Sequence, residues 1–172
     1  MDIKEKARGQ LNWLERLLHK LPGFKGYFEK ELRRDSDRLQ REFIVSQLRQ
    51  VKHAMNKVLQ AASRSKDFEL LQACDLFVKA LDNSIGAMRY ADQGYSGFFD
   101  LLKIREAELD AVYELDAKIA EAAAGFSEQG RVLAASPGAA GLEPLREELA
   151  RIDALFEQRT ALLKGYDKGV SQ

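Results

Sequence analysis

The residues with side chains suited to chemistry are few in this chain, which has two histidines and one cysteine. His19 follows Glu15 by one helical turn, a spacing that can hold a metal ion. However, neither His19 nor His53 stands three residues after a glutamate, the pairing that di-iron helical bundles use. We therefore interpret Glu15 and His19 as a surface pair. No metal and no other cofactor is predicted.

Nucleophilic catalysis is not favoured by the sequence either. Cys74 lies between Leu71 and Val78 on an apolar helical stripe, where burial raises the pKa of a thiol and leaves it a small hydrophobic residue. No glycine-rich phosphate loop followed by Lys-Ser or Lys-Thr is present. The acids between Glu106 and Glu121 have the spacing of a solvated helix face. The sequence therefore disfavours an enzyme without deciding the question. An enzyme with its active site in an aromatic corner is the second alternative.

Two aromatic corners that contain glycine are the strongest candidates for a binding surface. The corner at 22–28 reads Pro-Gly-Phe-Lys-Gly-Tyr-Phe, and the corner at 94–100 reads Gly-Tyr-Ser-Gly-Phe-Phe-Asp. The simpler interpretation is that the rings anchor turns onto a helical bundle. The functional interpretation is that both corners lie at one end of the bundle and bind a protein partner. The candidate partner-binding residues are Phe24, Tyr27, Phe28, Arg34, Arg38, Tyr90, Tyr95, Phe98 and Phe99.

Charge is distributed unevenly along the chain, although the formal net charge is zero. Residues 1–66 contain 16 Lys and Arg against 8 Asp and Glu, whereas residues 67–172 contain 11 against 19. Attraction between the basic and acidic parts can act within one fold or between two protomers, or either part can attract a charged partner. The segment 43–66 has five bases and no acid, and these are the candidate polyanion-binding residues: Arg49, Lys52, Lys57, Arg64 and Lys66.

The preferred functional hypothesis is a non-enzymatic adaptor, scaffold or accessory subunit that binds a protein partner or self-associates. The alternative is a membrane-surface or nucleic-acid binder that uses the base-rich helix at 43–66. Nucleic acid is disfavoured because these bases are not interleaved with aromatic residues. A peripheral membrane contact stays compatible with the sequence, and no small-molecule ligand is implied. The polar N-terminus and the single cysteine predict a cytoplasmic protein.

Composition predicts an all-α fold, because good helix formers dominate and only three prolines occur. Apolar residues spaced three and four apart predict five helices, at about 2–20, 28–62, 67–88, 98–124 and 142–165. Short turns between them favour a mainly antiparallel bundle. One domain would cover 1–166, followed by a frayed tail at 167–172. Residues 125–141 are predicted to form an exposed loop of about 12 to 17 residues, since they are small and turn-rich.

The apolar stripes define a predicted core. The second helix contributes Ile44, Leu48, Val51, Met55, Val58 and Ala62, and the third contributes Leu71, Cys74, Val78, Leu81, Ile85 and Met88. A five-residue step from Leu39 to Ile44 predicts a kink or a change of packing partner near Arg41. Three charged residues also fall on stripes: Arg105, Asp116 and Arg159. Either they pair across the fourth and fifth helices, or their stripes turn outward and the charges are solvated.

Overall fold

A computed structural model describes residues 31–91 and 106–170 of the chain. These residues form four α-helices and no strand, so the all-α prediction is confirmed. The helices are α1 at Glu31–Ser65, α2 at Phe68–Tyr90, α3 at Glu106–Ala135 and α4 at Leu142–Val170, with a 3-10 turn at Ala139–Gly141 before α4. The predicted helix at 2–20 lies outside the described residues, as do both aromatic corners, at 22–28 and 94–100.

The helices α1 and α2 form a hairpin around a two-residue connection. Lys66 has a φ of 58°, the left-handed conformation that ends α1, and the Asp67 carboxylate then accepts a hydrogen bond from the Leu70 amide at 3.0 Å. Asp67 is therefore the helix cap that the sequence predicts. The predicted apolar stripe of α1 is confirmed as well, because all six of its residues are at most 1% exposed.

The core face of α2 is rotated slightly from its predicted position. Leu70 and Phe77 are buried, whereas their predicted counterparts Leu71 and Val78 are only half-buried. The ring of Phe77 packs edge-on against Phe126 of α3, with ring centroids 6.3 Å apart. Because a phenylalanine side chain buries more apolar area than a valine, the helix turns Phe77 rather than Val78 toward the centre.

The predicted loop at 125–141 is wrong over most of its length, since α3 continues to Ala135. Apolar residues keep their helical spacing through this stretch, and Phe126 and Leu133 are both buried. Gly130 is also buried, and a Cβ atom there would lie 3.0 Å from Val51 Cγ2 of α1. The glycine therefore marks a close approach of two helices rather than a turn. Only residues 136–138 lie outside a helix before the 3-10 turn.

The order of the helices around the core follows from their neighbours. α1 packs against both α2 and α3, α3 also packs against α4, and the contact between α2 and α4 is less extensive. α2 and α4 run in parallel, because Ala73 meets Arg146 and, further along both helices, Ser84 meets Asp153. α1 and α2 form one antiparallel hairpin, and α3 and α4 form a second. Because α2 and α4 run in parallel, α1 and α3 also run in parallel.

The two glycines of α3 give a matched test of this packing. Gly125 is exposed and has open space where a methyl group would project, so we expect Gly125→Ala to raise the free energy of unfolding by about 0.5–1 kcal/mol. Gly130→Leu should instead lower it by about 1–3 kcal/mol, because the side chain would overlap Val51. Urea denaturation of the two variants measures both effects, and equal responses would contradict the close approach of α1 and α3.

Candidate functional site: the basic face of α1

The exposed side of α1 and the turn that follows it carry four of the five candidate polyanion-binding residues. Arg49, Lys57 and Arg64 are exposed at spacings of eight and seven residues, which places them on one side of the helix. Lys66 follows in the exposed turn at the end of α1. At 1.5 Å per residue, the set extends over about 25 Å. We call these four residues, together with the exposed His53, Asn56 and Gln60 between them, the basic face.

Lys52 does not belong to this surface, although the sequence groups it with the other bases. Its side chain is half-buried, and its ammonium nitrogen lies 2.6 Å and 2.8 Å from the two carboxylate oxygens of Asp82 in α2. The pair joins the two helices of the first hairpin. Because Lys52 is neutralised within the chain, it is less able than its neighbours to attract a partner.

The remaining bases are not neutralised by the acidic helices in the described part of the chain. Within residues 31–91 and 106–170, no ion pair involves Arg49, Lys57, Arg64 or Lys66. On α3, Glu128 pairs with Arg131 of the same helix, and this hydrogen bond lowers the pKa of Glu128. The possibility that the bases of α1 face and pair with the acids of α3 inside one protomer is therefore not realised at these four residues.

Few of the candidate partner-binding residues fall in the described ranges. Phe24, Tyr27, Phe28, Tyr95, Phe98 and Phe99 lie outside them, and Arg34 is placed only as part of the α1 backbone. Arg38 is exposed and lies 3.4 Å from Glu42 on the same helix. Tyr90 is 68% exposed at the end of α2. Because α1 and α2 are antiparallel, Arg38 and Tyr90 lie toward the same end of the hairpin.

A buried polar layer crosses α1, α3 and α4 beyond the end of α2. Asp116 and Arg159 are 7% and 3% exposed, and Arg159 Nε donates a hydrogen bond to Asp116 Oδ1 at 2.5 Å. Gln40 and Arg41 are also buried, and register along the parallel helices α1 and α3 places them near the level of Asp116. Of the two alternatives for the charged stripe positions, pairing is therefore correct for Asp116 and Arg159, whereas Arg105 lies outside the described residues.

We expect loss of the buried pair to be costly. Asp116→Ala should lower the free energy of unfolding by about 3–5 kcal/mol, because it removes from buried Arg159 its partner in α3. Lys52→Ala provides the control, since its partly exposed pair should contribute no more than about 1 kcal/mol. Thermal or urea denaturation compares the two variants. Similar costs in both would show that the Asp116–Arg159 pair is solvated in solution.

An open groove of about 290 Å³ lies between α2 and α4. Its lining combines the buried side chains of Phe77 and Leu149 with the exposed side chains of Leu76, Ala80 and Ala150. Sequence reasoning missed this groove, because it arises from the limited contact between α2 and α4. The groove is mainly apolar, and the side chains of Arg146 and Asp153 also line it.

Both charged residues of the groove are tied to α2. Arg146 donates a hydrogen bond to the Ala73 carbonyl oxygen at 3.1 Å, and Ser84 Oγ lies 2.8 Å from Asp153 Oδ2. Burial raises the pKa of Asp153, although the Ser84 hydroxyl partly opposes this effect. A protonated Asp153 can donate to Ser84 Oγ while Ser84 donates to the Ala80 carbonyl oxygen, 3.2 Å away. In the sequence, burial of Ser84 is indicated only by its position next to Ile85, which belongs to the predicted apolar stripe.

The raised pKa of Asp153 gives a pH dependence with a definite sign. The folded state binds the proton more tightly than the unfolded state, so this group contributes stability at low pH that is lost as pH rises through its folded pKa. We expect Asp153→Asn to be more stable than the parent at pH 7, by less than about 1 kcal/mol because the side chain is only half-buried. The difference should shrink in denaturation curves as pH falls to about 4, near the ordinary pKa of an aspartate, and stay constant below that. A difference that grows there would contradict the argument.

The structure also places the other residues considered for chemistry. Cys74 is buried in the core, as predicted, and burial raises the pKa of its thiol. His53 is exposed on the basic face, whereas His19 lies outside the described residues. Over residues 31–91 and 106–170, no three His, Cys, Asp or Glu side chains cluster closely enough to hold a metal ion. None of the four described helices is long and apolar enough to cross a membrane.

The chain matches no known protein family, no curated protein and no solved structure. Its function is therefore inferred from the sequence and from the geometry of the described residues.

Proposed function

We propose that this protein is a non-enzymatic adaptor or scaffold whose basic face on α1 binds an acidic surface of a partner protein. The observation that carries the proposal is the exposure of Arg49, Lys57 and Arg64 on one side of a helix, without an ion pair among the described residues. The three charges are held on a rigid helix whose other side is buried in the core. An acidic helix can match them, because its residues also recur at about 10.5 Å every two turns.

The size of the electrostatic attraction favours a protein partner over an anionic membrane. Each Lys or Arg at such a membrane contributes about 1 kcal/mol, so the four bases give about 4 kcal/mol, equivalent to a Kd of about 1 mM. No aromatic or large apolar side chain is exposed between Arg49 and Lys66 to insert into lipid. A protein partner can add hydrogen bonds to His53, Asn56 and Gln60, which are also exposed there.

Nucleic acid is a poorer fit to the same surface. Sequence-tolerant binding to single strands uses aromatic side chains as stacking platforms, and the exposed positions of α1 from Arg49 to Ser65 carry none. The acidic residues of α3 and α4 would in addition repel an extended polyanion. A partner protein of limited size can contact α1 and avoid them.

The full architecture and the second contact region are part of the same proposal. We infer a mainly antiparallel bundle of about five helices in a cytoplasmic protein, in which the described four are joined by a helix at 2–20. The aromatic corners at 22–28 and 94–100 would add apolar area to the partner interface near Arg38 and Tyr90. This arrangement is supported by the position of Arg38 and Tyr90 toward one end of the first hairpin.

Charge reversal tests the proposed surface. The variant Arg49→Glu, Lys57→Glu, Arg64→Glu should lose partner binding by at least about 100-fold, because attraction at three sites becomes repulsion. The matched control Arg89→Glu, Lys118→Glu, Lys164→Glu changes the net charge equally at positions off the basic face and should bind normally. A photo-crosslinking residue at position 53 would capture the partner in the cells that make the protein, and the purified pair would then be measured by calorimetry.

The location of the crosslink and the behaviour of defined probes decide the outcome. The proposal is supported if the crosslink lies within an acidic segment of the partner. In addition, lysines substituted into that segment should restore binding of the triple variant. Duplex DNA and vesicles containing phosphatidylglycerol should bind both variants and the parent only weakly at about 0.15 M salt. Tight binding of either probe at that salt, lost in the triple variant alone, would overturn the proposal in favour of a polyanion binder.

A further inference from the structure

We propose that residues 2–20 form a helix that docks lengthwise into the groove between α2 and α4. This surface is separate from the basic face, and the docking is independent of what that face binds. Three observations support it: the apolar lining of the groove, the sequence pattern of the segment that precedes α1, and the distance between them.

The groove has the features of a helix-binding site. Leu76 on its rim is 55% exposed, although leucine is usually buried in a helical core. Ala80 and Ala150 are small and exposed, so the backbone of another helix can approach closely between them. Arg146 and Asp153 have hydrogen-bond partners on α2, which leaves the apolar surface as the main feature to cover. An apolar helix face would remove this surface from water.

The sequence before α1 supplies such a face. Apolar residues recur there at helical spacings of three and four, and they are Ile3, Ala7, Leu11, Leu14, Leu18 and Leu21. Charged and polar residues such as Glu5, Asn12 and Arg16 fall on the opposite side of the helical projection. A helix over 2–20 would be about 28 Å long.

The distance from the start of α1 also suits the docking. The Lys52–Asp82 ion pair fixes the level of α1 against α2, and Glu31 lies about 32 Å along the axis from it. The groove begins within about two turns of Asp82, toward the start of α2, which is about 35–40 Å from Glu31. A connection over residues 21–30 spans about 17 Å on average. Together with a 28 Å helix it reaches the groove, with the helix antiparallel to α1.

Covalent attachment favours this segment over a second molecule. A short flexible connection gives an effective concentration in the millimolar range. A second copy of the chain or a partner helix would have to reach that concentration in solution to compete. The segment of the same chain is therefore the occupant to test first.

Hydrogen exchange in the full chain tests the docking directly. We expect Ala80→Glu with Ala150→Glu to accelerate amide exchange over residues 3–21 by at least about tenfold, because two charges would enter the apolar contact. Ala124→Glu, at an exposed position of α3, is the matched control and should leave exchange unchanged. Exchange over α1 confirms that the fold is intact in each variant.

Two substitutions within residues 2–20 test the same contact from its other side, and they remain informative if the groove variant fails to fold. Leu14→Glu should produce the same loss of protection over residues 3–21, whereas Asn12→Glu on the polar side should not. Light scattering should give one mass for all variants. Protection that survives both Leu14→Glu and the groove substitutions would overturn the proposal. A larger parent mass that falls to that of one chain in the groove variant would overturn it too, because a second copy would then fill the groove.

Discussion

Burial of the apolar stripe on α1 joins the two helical hairpins, because this helix packs against α2 as well as α3. Fully burying each large apolar side chain contributes about 1.5–3 kcal/mol, and the stripe from Ile44 to Val58 provides five such residues. A helix that turns one face to two neighbours leaves its opposite face to solvent. The exposure of Arg49, Lys57 and Arg64 is thus a direct consequence of where the apolar residues of α1 fall.

Toward the beginning of α1, the buried residues become polar and charged as well as apolar. There the buried positions include Gln40 and Arg41, and α3 and α4 contribute the Asp116–Arg159 pair. A buried ion pair adds less to stability than apolar side chains of the same size, because both charges lose their hydration. It does restrict the alignment of the two helices, since a shift of either one by a turn would separate the charges. We infer that this layer sets the register of α3 against α4.

The helices and most of the core could be predicted from the sequence, because apolar spacing follows the same period as the helix itself. The stripe of α1 and the Asp67 cap are confirmed residue by residue. The predicted end of α3 is wrong, because the small, turn-rich residues at 125–141 resemble a loop, whereas the helix continues to Ala135 and Gly130 lies in close contact with α1. The basic face could be predicted only in part, since the pairing of Lys52 depends on the register of α1 against α2. The groove has no sequence signal, because the alanines that line it, such as Ala80 and Ala150, can lie in a core as well as on a surface.

The parallel contact of α1 with α3 also shapes how the chain folds. Each hairpin closes a short connection and can form early, because little chain entropy is lost in doing so. The close approach of Val51 and Gly130, in contrast, joins residues far apart in sequence. We expect the two hairpins to form first and their docking to limit the folding rate. Until they dock, the stripe on α1 is covered by α2 alone, so the period before docking is when the chain is most prone to associate with other copies.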